Sequence, residues 1–247
     1  MSKIPGLHLP SLPTPLPQNG SIVELAGKEA HHLLRVLRTV PDDELYLGDG
    51  IGTILTARVL PTSHKDQLKV LVTSLNRATP PPTLTVVFPL IRRERMEWGM
   101  EKLAEIGVRR IIPCRFDHSD SSRGRLRSER LEQRLREGCR QSGNPWLPEL
   151  AAVTDFDQLL TEEFPLHQHL YWGAADGNSI ADVAERPAAD QTALLLTGPE
   201  GGFSERETEM LSRQEHGQPL RLGRHILRAE TAALLLAASV NDLVASR

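Results

Sequence analysis

The hydrophobic and polar positions follow two different grammars along the chain. Over residues 44–75 the runs ELYLGDG, GTILTARVL and QLKVLVTSL alternate or cluster β-formers between Gly, Pro and Asp turns. That pattern predicts antiparallel strands of a small barrel or sheet. Ahead of it, residues 29–38 (EAHHLLRVLR) predict a short helix with Leu33, Leu34 and Leu37 on one face and Arg35 and Arg38 on the other side. Residues 1–20 are too rich in proline for a helix and predict an extended arm. Pro80-Pro81-Pro82, within residues 76–83, interrupts any regular element and predicts a boundary between domains at 1–77 and 84–247.

Past that boundary apolar strands alternate with helical periods. Residues 84–90 predict a strand and 92–106 a helix, with Met96, Met100, Leu103 and Ile106 near one face and Gly107 as its C-terminal cap. A strand over 109–114 completes a β-α-β unit and implies a parallel sheet. An arginine-laden helix over 126–142 keeps Leu131, Leu135 and Cys139 in register, until Gly143 and Pro145 stop it. A short strand near 151–153, a strand around 169–172 and a short helix near 179–185 follow. The expected class is therefore α/β, with a small N-terminal β domain. Last come two apolar runs, 193–196 and 220–222, each ending in a glycine-bearing loop that opens into a helix. Ligands of open α/β sheets sit beyond the carboxyl ends of the strands, so these two loops read as two walls of one pocket.

Charge changes the picture more than composition does. The net charge is -3, but residues 91–140 hold 14 Lys and Arg against 9 Asp and Glu, while residues 141–247 hold 7 against 16. A basic middle in an acidic chain points to a polyanionic partner, with a solvated amphipathic helix as the plainer reading. The two cysteines, Cys114 and Cys139, have neither the spacing of a disulfide framework nor a ligand set for zinc. No basic-then-apolar leader and no apolar run of membrane-spanning length is present, so no membrane partner is expected and the cytoplasm is the expected compartment.

The first loop, Gly198-Pro199-Glu200-Gly201-Gly202, lacks the GxGxxG spacing of dinucleotide sites and the Lys-Ser/Thr of a P-loop. Glu200 at its mouth would repel phosphate. An adenosine-bearing cofactor without phosphate, such as S-adenosylmethionine, suits it better, and a purely structural turn is the alternative. The second loop sets Arg224, His225, Arg228 and Glu230 between an apolar strand and an apolar helix. Glu230 in the first turn suits the helix dipole. The run 232–238 is apolar nearly all round, which places this helix in a core or at a subunit interface.

LTGPEGGFSERE and LGRHILRAETAALLLA together resemble the RsmE family of small-subunit ribosomal RNA methyltransferases, in the SPOUT superfamily. HHLLRVLR, RMEWGMEKLAEIGVRRIIPC and CRQSGNPWLPEL are similar to further blocks of that family, in the same order, so the resemblance covers nearly the whole chain. It implies a PUA-like or OB-like N-terminal barrel that helps hold RNA, and a C-terminal α/β methyltransferase domain tied in a trefoil knot. It also implies a homodimer, and methyl transfer from S-adenosylmethionine to N3 of a uridine in 16S rRNA, free or in the small ribosomal subunit. By position, Thr197, Gly198, Pro199, Glu200, Gly201 and Gly202, with Leu222, Gly223, Ile226, Leu227, Arg228 and Thr231, would bind the cofactor. Leu222, Ile226 and Leu227 would flank the adenine. No metal is required, because a sulfonium is already an activated methyl donor.

Uracil N3 carries a proton at neutral pH, and negative charge spreads onto O2 and O4 as that proton leaves. A fixed cation with a planar donor fork meets the second need, which points to Arg228; Glu230 is a possible proton acceptor. Arg35, Arg38, Arg92, Arg93, Arg95, Lys102, Arg123, Arg125, Arg127 and Arg224 are candidate RNA contacts. The chain departs from the family pattern at Arg224-His225, where Pro-Arg is usual, at Asn144, and at FDHSD over 116–120, where a Ser-Glu-Arg-Ser-like segment is usual. A SPOUT enzyme acting on another RNA, or a non-catalytic RNA-binding or assembly protein, are the competing readings.

Overall fold

The computed structural model describes residues 3–10, 12–61, 67–119, 126–183, 187–188 and 190–245. They divide into two units, Met1–Pro80 with Arg136–Leu147, and Pro81–Leu135 with Pro148–Arg247.

In the first unit, β1 (Lys3–His8) and β2 (Ile22–Ala26) precede a short helix, α1 (Gly27–His31), and β3 (Glu44–Gly48), β4 (Thr53–Val59) and β5 (Gln67–Arg77) follow it. The five strands form one sheet in the order β1-β3-β4-β5-β2. Strict alternation along β4 buries Thr53, Leu55, Ala57 and Val59, the period-2 signature of a strand with one face on a core. The three strands read from the sequence are antiparallel neighbours. The extended arm expected over residues 1–20 needs correction, because β1 is a strand of this sheet, parallel to β3 with Leu7 opposite Tyr46. Pro5 and Gly6, the latter at φ 91°, hide the strand pattern, and an edge position tolerates both.

The helix expected over 29–38 starts two residues earlier and continues from α1 as a π-helical turn over His32–Val36. Leu33 is fully buried, with Leu34 and Leu37 packed on the same core. Beneath it, His8 Nδ1 lies 2.8 Å from Glu29 Oε1, and Arg140 Nη1 donates to His32 Nε2 at 2.9 Å. Burial raises the Glu29 carboxyl, but the His8 hydrogen bond and charge bring it below the ordinary value. Burial and the Arg140 charge hold His32 below its ordinary value.

Past residue 80 the chain runs β6 (Thr83–Pro89), α2 (Arg93–Ile106), β7 (Arg110–Arg115), α3 (Ser128–Ser142), β8 (Glu149–Leu150), β9 (Thr154–Asp155), α4 (Phe156–Glu162), β10 (His169–Ser179), β11 (Thr192–Leu196), α5 (Glu205–Ser212), β12 (Gly217–Arg221) and α6 (Ala229–Ala245); all belong to the second unit except α3 from Arg136 on, which belongs to the first. The strands of the second unit lie in the order β12-β10-β11-β6-β7-β8, with β9 also on β7, and every pairing is parallel. Both faces are covered, so β6 and β11 are nearly continuous buried runs rather than alternating ones. The β6-α2-β7 unit matches the sequence reading, including the left-handed cap at Gly107.

Three readings change. The strand expected near 151–153 is split into β8 and β9 on either side, and Asp155 then caps α4 by accepting from the Gln158 N–H at 2.9 Å. The strand around 169–172 continues to Ser179 through a bulge, since Gly173 and Asn178 both register with Leu220. The helix near 179–185 is a single 3-10 turn, Ile180–Asp182, started by the Ser179 side chain; residues 184–186 lie outside the described ones.

Candidate active site at the carboxyl ends of three strands

β12, β10 and β11 are neighbours, so their carboxyl ends deliver three chain segments to one place. A Cβ on Gly173, in β10, would sit 3.1 Å from Leu222 Cδ1 and 3.6 Å from Thr197 Cγ2. The two loops singled out in the sequence therefore do meet, with β10 between them.

The first loop folds tightly on itself. Gly202 N–H donates to Pro199 O at 2.8 Å, closing a turn in which Gly202 takes φ 71°. A Cβ on Gly198 would lie 2.9 Å from the Gly202 carbonyl carbon and from Phe203 N, so only glycine lets the loop close here. Ser204 then caps α5. Its Oγ accepts from Glu207 N–H at 3.1 Å, and Glu207 Oε2 accepts from Ser204 N–H at 2.8 Å.

That buried Glu207 also accepts the Asp117 N–H through Oε1 at 2.8 Å. Asp117 is gripped by Arg206 (Nη2 to Oδ1 2.9 Å, Nε to Oδ2 3.2 Å) and by Ser204 Oγ at 2.6 Å. The Arg206 and Ser204 hydrogen bonds hold the Asp117 carboxyl below the usual range. Next to it, His118 Nδ1 stands 3.1 Å from Gly201 O and 3.3 Å from Gly202 O.

In the second loop Gly223, Arg224, His225 and Arg228 are exposed, Leu222 and Leu227 are half-buried, and Ile226 is 98% exposed. Arg228 O accepts the Ala232 N–H at 2.8 Å, so Arg228 stands at the threshold of α6 with its side chain in solvent. Glu230, in the first turn of α6, is only 5% exposed. Arg95, in the first turn of α2, connects the loops, with Nη1 3.7 Å from Glu200 Oε1 and Nε 3.5 Å from Glu230 Oε1. Two buried polar atoms here have no hydrogen-bond partner among the described residues, Thr197 Oγ1 and Glu230 Oε2. Such atoms are costly to leave unpaired in a finished core.

The basic candidates separate. Arg35 and Arg38 are exposed on the first unit, Arg38 at φ 53°, while Arg92, Arg93 and Arg224 are exposed on the second. Lys102 is tied to Glu101 at 2.9 Å and Glu105 at 2.7 Å, and these carboxylates raise its pKa. On the basic helix, Arg130 Nε lies 2.7 Å from the buried Glu97, and Arg134 reaches Glu97 and Glu101 at 3.7 Å, so part of that charge is spent joining α3 to α2. Arg123 and Arg125 lie outside the described residues. Burial pushes the Cys114 thiol up and the Cys139 thiol up to about 12, which makes neither a nucleophile.

Arg95, a candidate RNA contact by sequence, faces two carboxylates, and His118 was not among the sequence candidates. The i, i+4 and strand-end patterns do not say which cation faces a carboxylate more than a hundred residues away. The only signal for His118 is its place in the 116–120 departure.

A family model described as an RNA methyltransferase domain matches residues 79–241, and one described as an RNA methyltransferase PUA domain matches residues 25–73. Ribosomal RNA small subunit methyltransferase E of Bacillus subtilis is 28% identical over 230 residues, covering 88% of each chain. The enzyme of that name from Neisseria gonorrhoeae, solved bound to S-adenosyl methionine, superposes with a TM-score of 0.84 at 25% identity, over 97% of this chain and 98% of that one. A Legionella pneumophila methyltransferase solved with the same cofactor gives 0.80 at 28% identity, over 98% of both. With an α/β methyltransferase fold behind an N-terminal PUA-like domain, the chain belongs to the RNA methyltransferase family, of the ribosomal RNA small subunit methyltransferase E type.

Proposed function

We propose that this chain transfers the methyl group of S-adenosylmethionine to N3 of a uridine in 16S rRNA. The observation that carries the proposal is the junction of the two loops by Arg95 at the ends of β10, β11 and β12. The residues there suit this donor. The glycine-bearing backbone at 197–202 carries few side chains to keep an adenosine away, half-buried Leu222 and Leu227 would offer apolar walls for the adenine, and Thr197 Oγ1 and Glu230 Oε2, without partners among the described residues, would offer polar ones. Ile226, 98% exposed, is the side chain with most to gain by covering the base. The bound donor supplies an electrophilic methyl on a sulfonium.

The remaining tasks fall to the protein. Arg228 is exposed at the head of α6, where its planar fork is free to meet the charge developing on uracil O2 and O4. Glu230 enters in two roles, as the anchor of Arg95 and as an acceptor for the N3 proton. A pH–rate profile unchanged by Glu230→Gln would leave only the first. Arg35, Arg38, Arg92, Arg93, Arg123 and Arg224 are assigned to phosphates; Lys102 would have to give up two carboxylates and carries least of the group.

A homodimer belongs to the same proposal. Thr231, Leu235 and Ala238 form an exposed, largely apolar stripe on α6, spaced four and three residues apart, and Trp98 on the neighbouring α2 is 45% exposed. The trefoil knot implied by the family likeness and a cytoplasmic location, which suits a ribosomal RNA substrate, are part of the same proposal. No described helix is long and apolar enough to cross a membrane.

The same pocket serving a different RNA is the second reading, favoured by the departures at Arg224-His225 and at 116–120. Purified protein with isotopically labelled donor separates the two. Label entering 16S rRNA or small subunits, but not other RNAs, supports the first.

A further inference from the structure

The turn after β7 closes over the first loop at three successive residues. Phe116 meets Phe203 edge-on with ring centroids 5.3 Å apart. Asp117 is bound by Ser204, Arg206 and Glu207. His118 then reaches the carbonyl oxygens of Gly201 and Gly202. A carbonyl oxygen only accepts, so Nδ1 carries the hydrogen and donates to both. The approach is tight, for a Cβ on Gly201 would lie 2.9 Å from His118 Cβ. His118 is itself exposed, so it contributes little as core packing. What it fixes is the direction of two peptide groups. In a trans peptide the N–H points opposite to the C=O. With both carbonyls turned to the imidazole, the Gly202 N–H closes the turn on Pro199 O, and Phe203 N lies over Gly198.

We propose that His118 is a positioning residue for the methyl donor, acting through the Gly201 and Gly202 carbonyls to hold the 197–202 loop in its binding conformation. The proposal rests on the reading of that loop as the donor site. It also gives the FDHSD departure a function in this chain, with Asp117 bracing the turn that presents His118.

Calorimetric titration of the full-length chain with S-adenosylmethionine tests it. His118→Ala should weaken donor binding about tenfold, the loss of one hydrogen bond and of loop order. Its kcat should recover at saturating donor, so that the defect lies in KM. His118→Asn, whose amide nitrogen takes the place of Nδ1, should bind within about threefold of the unaltered protein, whereas His118→Gln, whose nitrogen reaches the Nε2 position, should not recover. A general loss of folding would not distinguish Asn from Gln. Unchanged affinity in His118→Ala, or an Asn variant as weak as the Ala one, would overturn the assignment. Gly198→Ala tells the two levels apart. If it weakens donor binding while His118→Ala does not, only the role of His118 fails. If neither changes affinity, the donor-loop reading fails with it.

Discussion

Replacing Arg95 by Met removes the cation between the two loops and leaves its apolar stem. Unit charges 3.5 Å apart, the Arg95 to Glu230 distance, attract by about 5 kcal/mol at an effective dielectric of about 20. The net coupling is smaller for three reasons. The Arg95 side chain is 29% exposed; 3.5 Å and 3.7 Å are long against the ~2.7–2.9 Å of a charge-assisted hydrogen bond; and burying the Glu230 carboxylate costs several kcal/mol in its own right. About 1–2 kcal/mol is the coupling expected. Denaturant unfolding of ligand-free Arg95→Met, Glu230→Gln and the double variant measures it as a double-mutant cycle. Arg95→Met should be the worse single change, by about 2 kcal/mol, because it strands a buried carboxylate. The double variant should recover about 1–2 kcal/mol of the summed losses. Donor affinity should fall about tenfold in Arg95→Met, since Glu200 loses the same partner. Single losses that add to within ~0.5 kcal/mol, with donor affinity intact, would show that Arg95 does not join the loops.

Thr197→Val replaces a buried, unpartnered hydroxyl by a methyl group. The ligand-free protein should gain about 1 kcal/mol, or ~2–4 °C in Tm, while donor affinity falls several-fold; a lower Tm with unchanged binding would contradict the placement of Oγ1. Arg228→Ala should lower kcat about 10²–10³-fold with donor affinity within about threefold, and normal turnover at saturating RNA and donor would remove Arg228 from the chemistry. Stability should fall on acidification. His32 and His167 are held below the ordinary 6.5, chiefly by burial, so the folded state binds fewer protons than the unfolded one and loses stability as pH drops below ~6.5. Glu29 and Asp117, held below 4.5 and 3.8, add a second loss on the acid side of about pH 4.5. Denaturant midpoints measured from pH 8 to 4 should hold level down to about pH 7 and decline below it, and His32→Asn should flatten only the upper part of the decline.

The helices and strands past residue 83 were readable because their periods are strong. Leu131, Leu135 and Cys139 recur at helical spacing and are all buried, and β6 and β11 are unbroken apolar runs in a sheet covered on both faces. Elements set by one or two local contacts were not readable. β1 carries Pro5 and a positive-φ Gly6, and α4 announces itself only by the Asp155 cap on a seven-residue segment. The two loops were legible as a pair because both follow apolar strands. That they meet depends on β10 lying between β11 and β12, an adjacency no local pattern records. Arg95 and His118 escaped for the same reason. Each acts on backbone or carboxylates more than eighty residues away in the chain, and nothing in its own neighbourhood sets it apart from a solvated side chain.

Methyl transfer to uracil N3 of the small-subunit RNA can be observed in a single experiment. 16S rRNA from cells lacking this protein is incubated with the purified chain and S-adenosylmethionine, free and within small subunits, and its nucleosides and fragments are then mapped by mass. One additional methyl group is expected, on the base of a single uridine at N3. A methyl on ribose, on another base or on another ring atom, or none in either form of the substrate, would contradict it.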